Sequence, residues 1–197
     1  MDLIESMNQV YPLKLDTISE IMKFTEVRTL SKGEYAIEQD KVSRHLIFIR
    51  KGIMRMGFLH DGREDTMMFG LDGDPFTSIE SMMHGEPSKF FVEAITECEA
   101  YFIDLHKIME MVERRPEMQR WLMQAALMEL YYLGKKRRYF SDISSYDRWV
   151  MFIGQRPDLV DKVPTKYLAQ YLGVSRETLS RVKSKYLREQ CQKHKRV

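Results

Sequence analysis

Glycine placement is what most narrows the folds open to this 197-residue chain. Seven of its ten glycines (Gly33, Gly52, Gly57, Gly62, Gly70, Gly73 and Gly85) fall between residues 33 and 85, and none lies between His106 and Leu133. Between the clustered glycines run short apolar segments of strand character: Tyr35–Glu38, Leu46–Arg50, Ile53–Leu59 and Thr66–Phe69. Phe90–Ile95 and Ala100–Ile103 follow. Short strands separated by turn signals such as His60-Asp61-Gly62-Arg63 predict an antiparallel roll or sandwich. Residues 13–25 read as a preceding helix, with Leu15, Ile18, Ile21 and Met22 on one face.

After Leu105 the period changes. Apolar residues at Met118, Trp121, Leu122, Ala125, Ala126, Met128, Tyr132 and Leu133 recur every three or four positions. They predict one long helix over 106–133 with two apolar faces. One face serves its own domain, and the second suits a copy of the same helix. Gly134-Lys135-Lys136-Arg137-Arg138 closes that helix or forms the hinge after it, and 144–154 reads as a further helix ending near Gly154.

Charge divides the chain in the same way. The net charge is only +2, yet Phe140–Val197 holds 12 Lys+Arg against 6 Asp+Glu, a net of +6, which leaves −4 for the rest. A basic C-terminal third implies an anionic partner. Other classes are excluded. The N-terminus MDLIESMNQVYPLKLD has early acids and no apolar secretion core, so a cytoplasmic protein is expected. Trp121–Met128 is too short to span a bilayer, so no membrane partner is expected. Cys98 and Cys191 stand far apart, with no pairing suited to a disulfide scaffold, zinc or an iron–sulfur cluster. The isolated histidines give no haem or metal site, and no metal is expected. No GxSxG, phosphate-binding loop or HExxH pattern occurs, so catalysis is not expected.

Val163–Leu187, VPTKYLAQYLGVSRETLSRVKSKYL, is the segment that carries a mechanism. Pro164 and Thr165 open a short helix whose inner face is Leu168, Ala169 and Leu172. Gly173 can take a left-handed turn, and Ser175 can cap the next helix. That helix would bury Leu179 and Val182 and present Arg176, Glu177, Ser180, Arg181 and Lys185 outward. This is a helix-turn-helix reading element. Arg can donate twice to guanine and Glu can accept from cytosine, so Arg176, Glu177, Ser180 and Arg181 are the candidate base readers. Thr165, Lys166, Ser175, Lys183, Lys185 and the tail Lys193–Arg196 are candidates for phosphate contacts. A surface ion pair between Glu177 and Arg181 is the plainer alternative for those two residues.

At Leu168-Ala169-Gln170-Tyr171-Leu172-Gly173-Val174-Ser175-Arg176-Glu177-Thr178-Leu179-Ser180-Arg181 the sequence resembles the Crp/Fnr family of bacterial transcription regulators. The resemblance extends, more weakly, through Leu30-Ser31-Lys32-Gly33-Glu34, Gln39-Asp40 and Leu46–Arg55. It implies an α+β fold in three parts: an antiparallel β-roll of the cyclic-nucleotide-binding type (1–105), a long dimerisation helix with hinge (106–138), and a winged helix-turn-helix (139–197). It also implies a homodimer through the 106–133 helix, double-stranded DNA with a pseudo-palindromic operator, and RNA polymerase as a further partner.

The resemblance fails at one place. The family's cyclic-nucleotide cassette reads Phe-Gly-Glu, then about ten residues on an Arg followed by small residues. Here Phe76-Thr77-Ser78-Ile79-Glu80 is followed by Ser88-Lys89-Phe90-Phe91. Thr77 replaces the glycine, Ser78 the glutamate, and Ser88 or Lys89 the arginine. A buried cyclic phosphate needs a compensating cation and donors, and Lys89 lacks the arginine fork. Phe76, Thr77, Ser78, Glu80, Ser88 and Lys89 are therefore the candidate effector pocket, with cyclic AMP disfavoured and no cofactor expected. A regulatory module that binds a cyclic nucleotide or another small molecule is the alternative function. It would want an intact cassette and no reading helix.

Overall fold

The structure, a computed structural model, describes residues 1–141 and 143–194, with side chains described outside 136–141 and 193–194. The chain divides into two compact units, Met1–Leu130 and Tyr131–Val197.

The first unit is built on two four-stranded antiparallel sheets. β1 (Thr25–Leu30), β8 (Cys98–Asp104), β3 (His45–Lys51) and β6 (Pro75–Phe76) form one. β2 (Tyr35–Ile37), β7 (Phe91–Ala94), β4 (Met54–His60) and β5 (Arg63–Gly70) form the other. The apolar run Leu46-Ile47-Phe48-Ile49 on β3 explains the layering, because a strand buried on both faces needs no polar alternation. Ile47 and Ile49 join a core between the sheets with Met54, Phe76, Val92, Ala94, Ala100 and Phe102. Leu46 and Phe48 point the other way, into a cluster with the helices. Between β4 and β5 the turn residues Asp61 and Gly62 both have positive φ, 50° and 72°, the twist that matches a two-residue hairpin.

Four helices supply the second cluster: α1 (Leu3–Val10), α2 (Leu15–Met22), α4 (Leu105–Arg114) and the start of α5 (Pro116–Ser141). A short α3 (Ile79–His84) follows β6. Asp2 and Glu5 close a capping box on α1. Trp121 on α5 donates its indole N–H to the carbonyl of Met7 at 2.9 Å and packs near Phe48.

The expected single helix over 106–133 is two helices. Arg115 sits between α4 and α5 in extended conformation, φ −119° and ψ 112°. Pro116 is the cause: its ring disfavours the helical region for the residue before it, and it has no N–H to donate. The expected closure at Gly134 is also absent, since α5 continues to Ser141.

The second unit contains α6 (Ser145–Gln155), a 3-10 turn at Pro157–Leu159, α7 (Thr165–Leu172) and α8 (Arg176–His194). The roll and the C-terminal helices are those expected of the fold class. The wing is not seen: among the described residues of this unit there is no strand.

Candidate nucleic-acid interface and β-roll site

The turn between α7 and α8 is closed by the backbone. Gly173 is left-handed at φ 65°. Its N–H donates to Gln170 O at 3.0 Å, and that of Val174 donates to Ala169 O at 3.0 Å, the paired pattern of a Schellman motif. Arg148 on α6 adds a bond from Nη1 to Leu172 O at 2.8 Å. Ser175 Oγ then accepts from the Thr178 N–H at 3.1 Å and caps α8. Leu168, Ala169, Leu172, Leu179 and Val182 are buried, as are Trp149, Phe152, Leu159 and Val163. Phe152 lies between Trp149 and Tyr171.

With that face buried, Arg176, Glu177, Ser180 and Arg181 are all exposed. The Glu177 carboxyl is held below the usual range, first by a hydrogen bond from its own N–H and then by Ser175, with Arg176 and Arg181 adding positive charge. The exposed row continues further than the sequence reading took it. Ser184 Oγ donates to Ser180 O at 3.0 Å, and Arg188 Nε donates to Ser184 O at 3.3 Å. Both lie on the face of Glu177 and Arg181. The signal was the continuing three- and four-residue spacing of a helix that ends only at His194.

The candidate phosphate contacts are less uniform. Thr165 is exposed at the first turn of α7 and Lys166 is half-buried. Ser175 is engaged as the cap of α8. The Lys183 ammonium lies 5.0 Å from the Trp149 ring centre, and its partial burial lowers its pKa. Lys185 lies 4.5 Å over the Tyr146 ring and 3.9 Å from Glu189. The side chains of Lys193–Arg196 lie outside the described residues.

In the roll, the candidate pocket residues are bonded locally. Thr77 Oγ1 donates to His45 O at 3.3 Å. Ser78 is buried and caps α3, accepting from the Ser81 N–H at 3.2 Å and donating to Glu80 Oε2 at 3.0 Å. Ser88, also buried, donates to Phe90 O at 2.7 Å. Phe76 lies in the core, whereas Lys89 is exposed. Two clefts of the first unit lie elsewhere. One of about 720 Å³ runs between Asp16–Phe24 and Lys107–Arg115, and one of about 210 Å³ follows 35–45.

The buried charges of the roll are residues the sequence reading missed. Arg55 on β4 is 1% exposed, and its register partner on β7 is Glu93. Arg55 Nε and Nη2 reach Glu93 Oε2 at 2.7 and 2.5 Å. Nη1 donates to Thr66 Oγ1 at 3.2 Å, and Nη2 to Glu64 Oε2 at 3.1 Å. The guanidinium carbon stands 4.7 Å from the Phe91 ring centre. A lone Arg in a strand of alternating pattern carries no sequence signal of burial, because the partner that neutralises it is 38 positions away. Among the described residues, no group of three or more His, Cys, Asp or Glu could hold a metal ion, and no helix is long and apolar enough to cross a membrane.

Residues 27–115 match the family model of the cyclic nucleotide-binding domain. No curated protein sequence matches the chain. Among solved structures, the chain is similar to FixK2 from Bradyrhizobium japonicum, with TM-score 0.74 at 18% identity over 84% of this chain and 85% of that one. It is similar to CLP, described as a c-di-GMP-responsive global regulator of Xanthomonas campestris, with TM-score 0.71 at 16% identity over 89% and 93%. A protein from Eubacterium rectale assigned as a Crp/Fnr-family transcriptional regulator gives TM-score 0.72 at 15% identity over 92% and 88%. The class is thus a cyclic-nucleotide-binding-type β-roll followed by C-terminal helices.

Proposed function

We propose that this chain is a sequence-specific DNA-binding regulator that acts as a homodimer on a pseudo-palindromic operator and does not respond to cyclic AMP. The observation that carries the reading is the α7–Gly173–α8 unit, with Leu179 and Val182 buried and Arg176, Glu177, Ser180 and Arg181 exposed along one side of α8. Such a helix can enter a major groove with its N-terminal residues against base edges. Glu177 and Arg181 would read a G·C pair together in each half-site, while Thr165, Lys166, Ser175, Lys183 and Lys185 would hold phosphates.

Dimerisation is supported by α5. Met118 and Trp121 are buried on one side, whereas Met123, Leu127, Leu130, Tyr131, Tyr132 and Leu133 are between 49% and 65% exposed. A second copy of the helix is the proposed partner for that apolar surface. The half-sites would then be about one helical turn apart. The lack of a cyclic-AMP response is supported by the cassette positions: Ser78 and Ser88 are buried and locally bonded, and the one cation there, Lys89, faces solvent. A cytoplasmic, non-enzymatic protein that also contacts RNA polymerase completes the proposal.

Selection of bound sites from randomised DNA, with and without cyclic AMP, tests the reading. Enrichment of the same two-fold site in both arms is expected. No enriched site would overturn the regulator reading, and enrichment only with the nucleotide would favour the ligand-binding module that the match over residues 27–115 allows.

A further inference from the structure

Among the described residues, Arg55 and Glu93 are the two charged residues buried in the fold. A guanidinium removed from water is tolerated only with a compensating anion and satisfied donors. Arg55 has both. Glu93 engages Nε and Nη2, Thr66 takes Nη1, Glu64 reaches Nη2 from the rim, and the Phe91 ring covers the planar face. An arginine fork with a hydroxyl and an aromatic wall does not discriminate among oxyanions: it matches a carboxylate or a phosphate by the same geometry. In this chain the carboxylate at that fork is Glu93.

We propose that Glu93 is a built-in anion. Its carboxylate fills the seat formed by Arg55, Thr66 and Phe91, so that the roll carries its own charge complement in place of an external anionic effector. The sheet delivers the occupant, because β4 and β7 pair Arg55 directly with Glu93. The attachment is intramolecular and its effective concentration is correspondingly high, so a free oxyanion at ordinary concentration does not displace it. The seat accepts an external oxyanion only when the Glu93 side chain is removed from it.

The consequence for regulation, operator binding without an added anion, rests on the DNA-binding reading. The test does not, because it uses no DNA. Thermal unfolding of the full chain is followed for wild type, Glu93→Ala and the apolar pair Arg55→Met/Glu93→Met, in inorganic phosphate and in chloride at equal ionic strength. Phosphate stabilises many proteins by exclusion from their surface, so the measured quantity is the rise in Tm beyond that of wild type. Glu93→Ala, which empties the seat, is expected to melt lower than wild type in chloride and to show a saturable excess rise of about 2–8 °C in phosphate. The double variant is expected to show none. Should Glu93→Ala have no cooperative melt in chloride, its recovery in phosphate is the expected result. Absence of the excess or of that recovery, or an equal excess in the double variant, would overturn the proposal. So would a saturable phosphate response already present in wild type.

Discussion

Arg115 Nη2 lies 2.6 Å from Glu20 Oε2, which ties the break between α4 and α5 to the second helix of the chain. Around this pair, Arg115 Nη1 reaches Asp16 Oδ2 at 2.9 Å and Thr17 Oγ1 at 2.8 Å, Arg114 reaches Glu20 Oε1 at 2.7 Å, and Thr17 donates to Glu117. The residue that Pro116 forces out of helical geometry is thus the one that α2 holds in place.

Acid should loosen this clamp. The Arg115 guanidinium, chiefly by hydrogen bonding, keeps the carboxyls of Asp16 and Glu20 below their ordinary values of 3.8 and 4.5. A carboxyl whose pKa is depressed in the folded state stabilises fully above its ordinary value, and that stability is lost as pH falls through the folded value. Thermal melts taken from neutral pH down to about pH 3 should therefore show a smaller acid loss for Arg115→Met than for wild type. Parallel curves would mean that the clamp carries no stability.

Arg181→Ala should relax base preference at one position of each half-site, costing about 1–3 kcal/mol, or roughly five- to 150-fold, against the preferred base. Competition titrations with operators varied one base pair at a time measure it. A uniform loss over all sequences would make Arg181 a phosphate contact instead.

Neutralising Lys166, Lys183 or Lys185 should weaken all DNA sequences alike and reduce the salt slope by about 1 each. Lys183→Ala and Lys185→Ala should also lower stability, because their ammonium groups rest on the Trp149 and Tyr146 rings. A contact of that kind is worth about 0.5–1 kcal/mol at a partly exposed site. Urea titration of the variants measures that loss, and unchanged midpoints would mean that these ring contacts carry no stability.

Gly173→Ala should destabilise the helical unit by about 1–2 kcal/mol, the cost of a side chain in left-handed conformation. Its φ is 65°, and an added Cβ would stand 3.3 Å from Arg148 Nη1. Circular-dichroism melts test this, and an unchanged Tm would sink it.

Leu127→Glu with Leu130→Glu should shift the chain to monomer. Both residues are more than half exposed, and each buried Leu contributes roughly 1.5–3 kcal/mol to an apolar contact. Sedimentation analysis should register a dissociation constant raised about tenfold or more per site. No change in mass distribution would overturn the reading of this face as a dimer surface.

Where local chemistry decides, the residues could be read directly. The Schellman turn at Gly173, the cap at Ser175 and the buried row Leu168, Ala169, Leu172, Leu179 and Val182 follow from neighbours within a few positions. The hairpin at Asp61-Gly62 and most strands of the roll follow in the same way, since alternation and turn residues act over short range. β1, whose burial pattern is exposed at four of six positions, gave no such signal, and α1 and α3 are helices of only 8 and 6 residues. The break at Pro116 was legible in principle, but the apolar spacing continues across it and favoured one helix.

The division into a glycine-punctuated roll and a basic helical end, together with the helix that follows Gly173, is written in the sequence itself, because periodicity, turn chemistry and charge are local properties. Only tertiary structure decided which charged groups are buried and what neutralises them. Buried Arg55 meets Glu93 across strands, and half-buried Arg115 meets Glu20 across 95 positions. The energy of a buried charge depends on a partner brought near in space, and one-dimensional spacing does not record that partner.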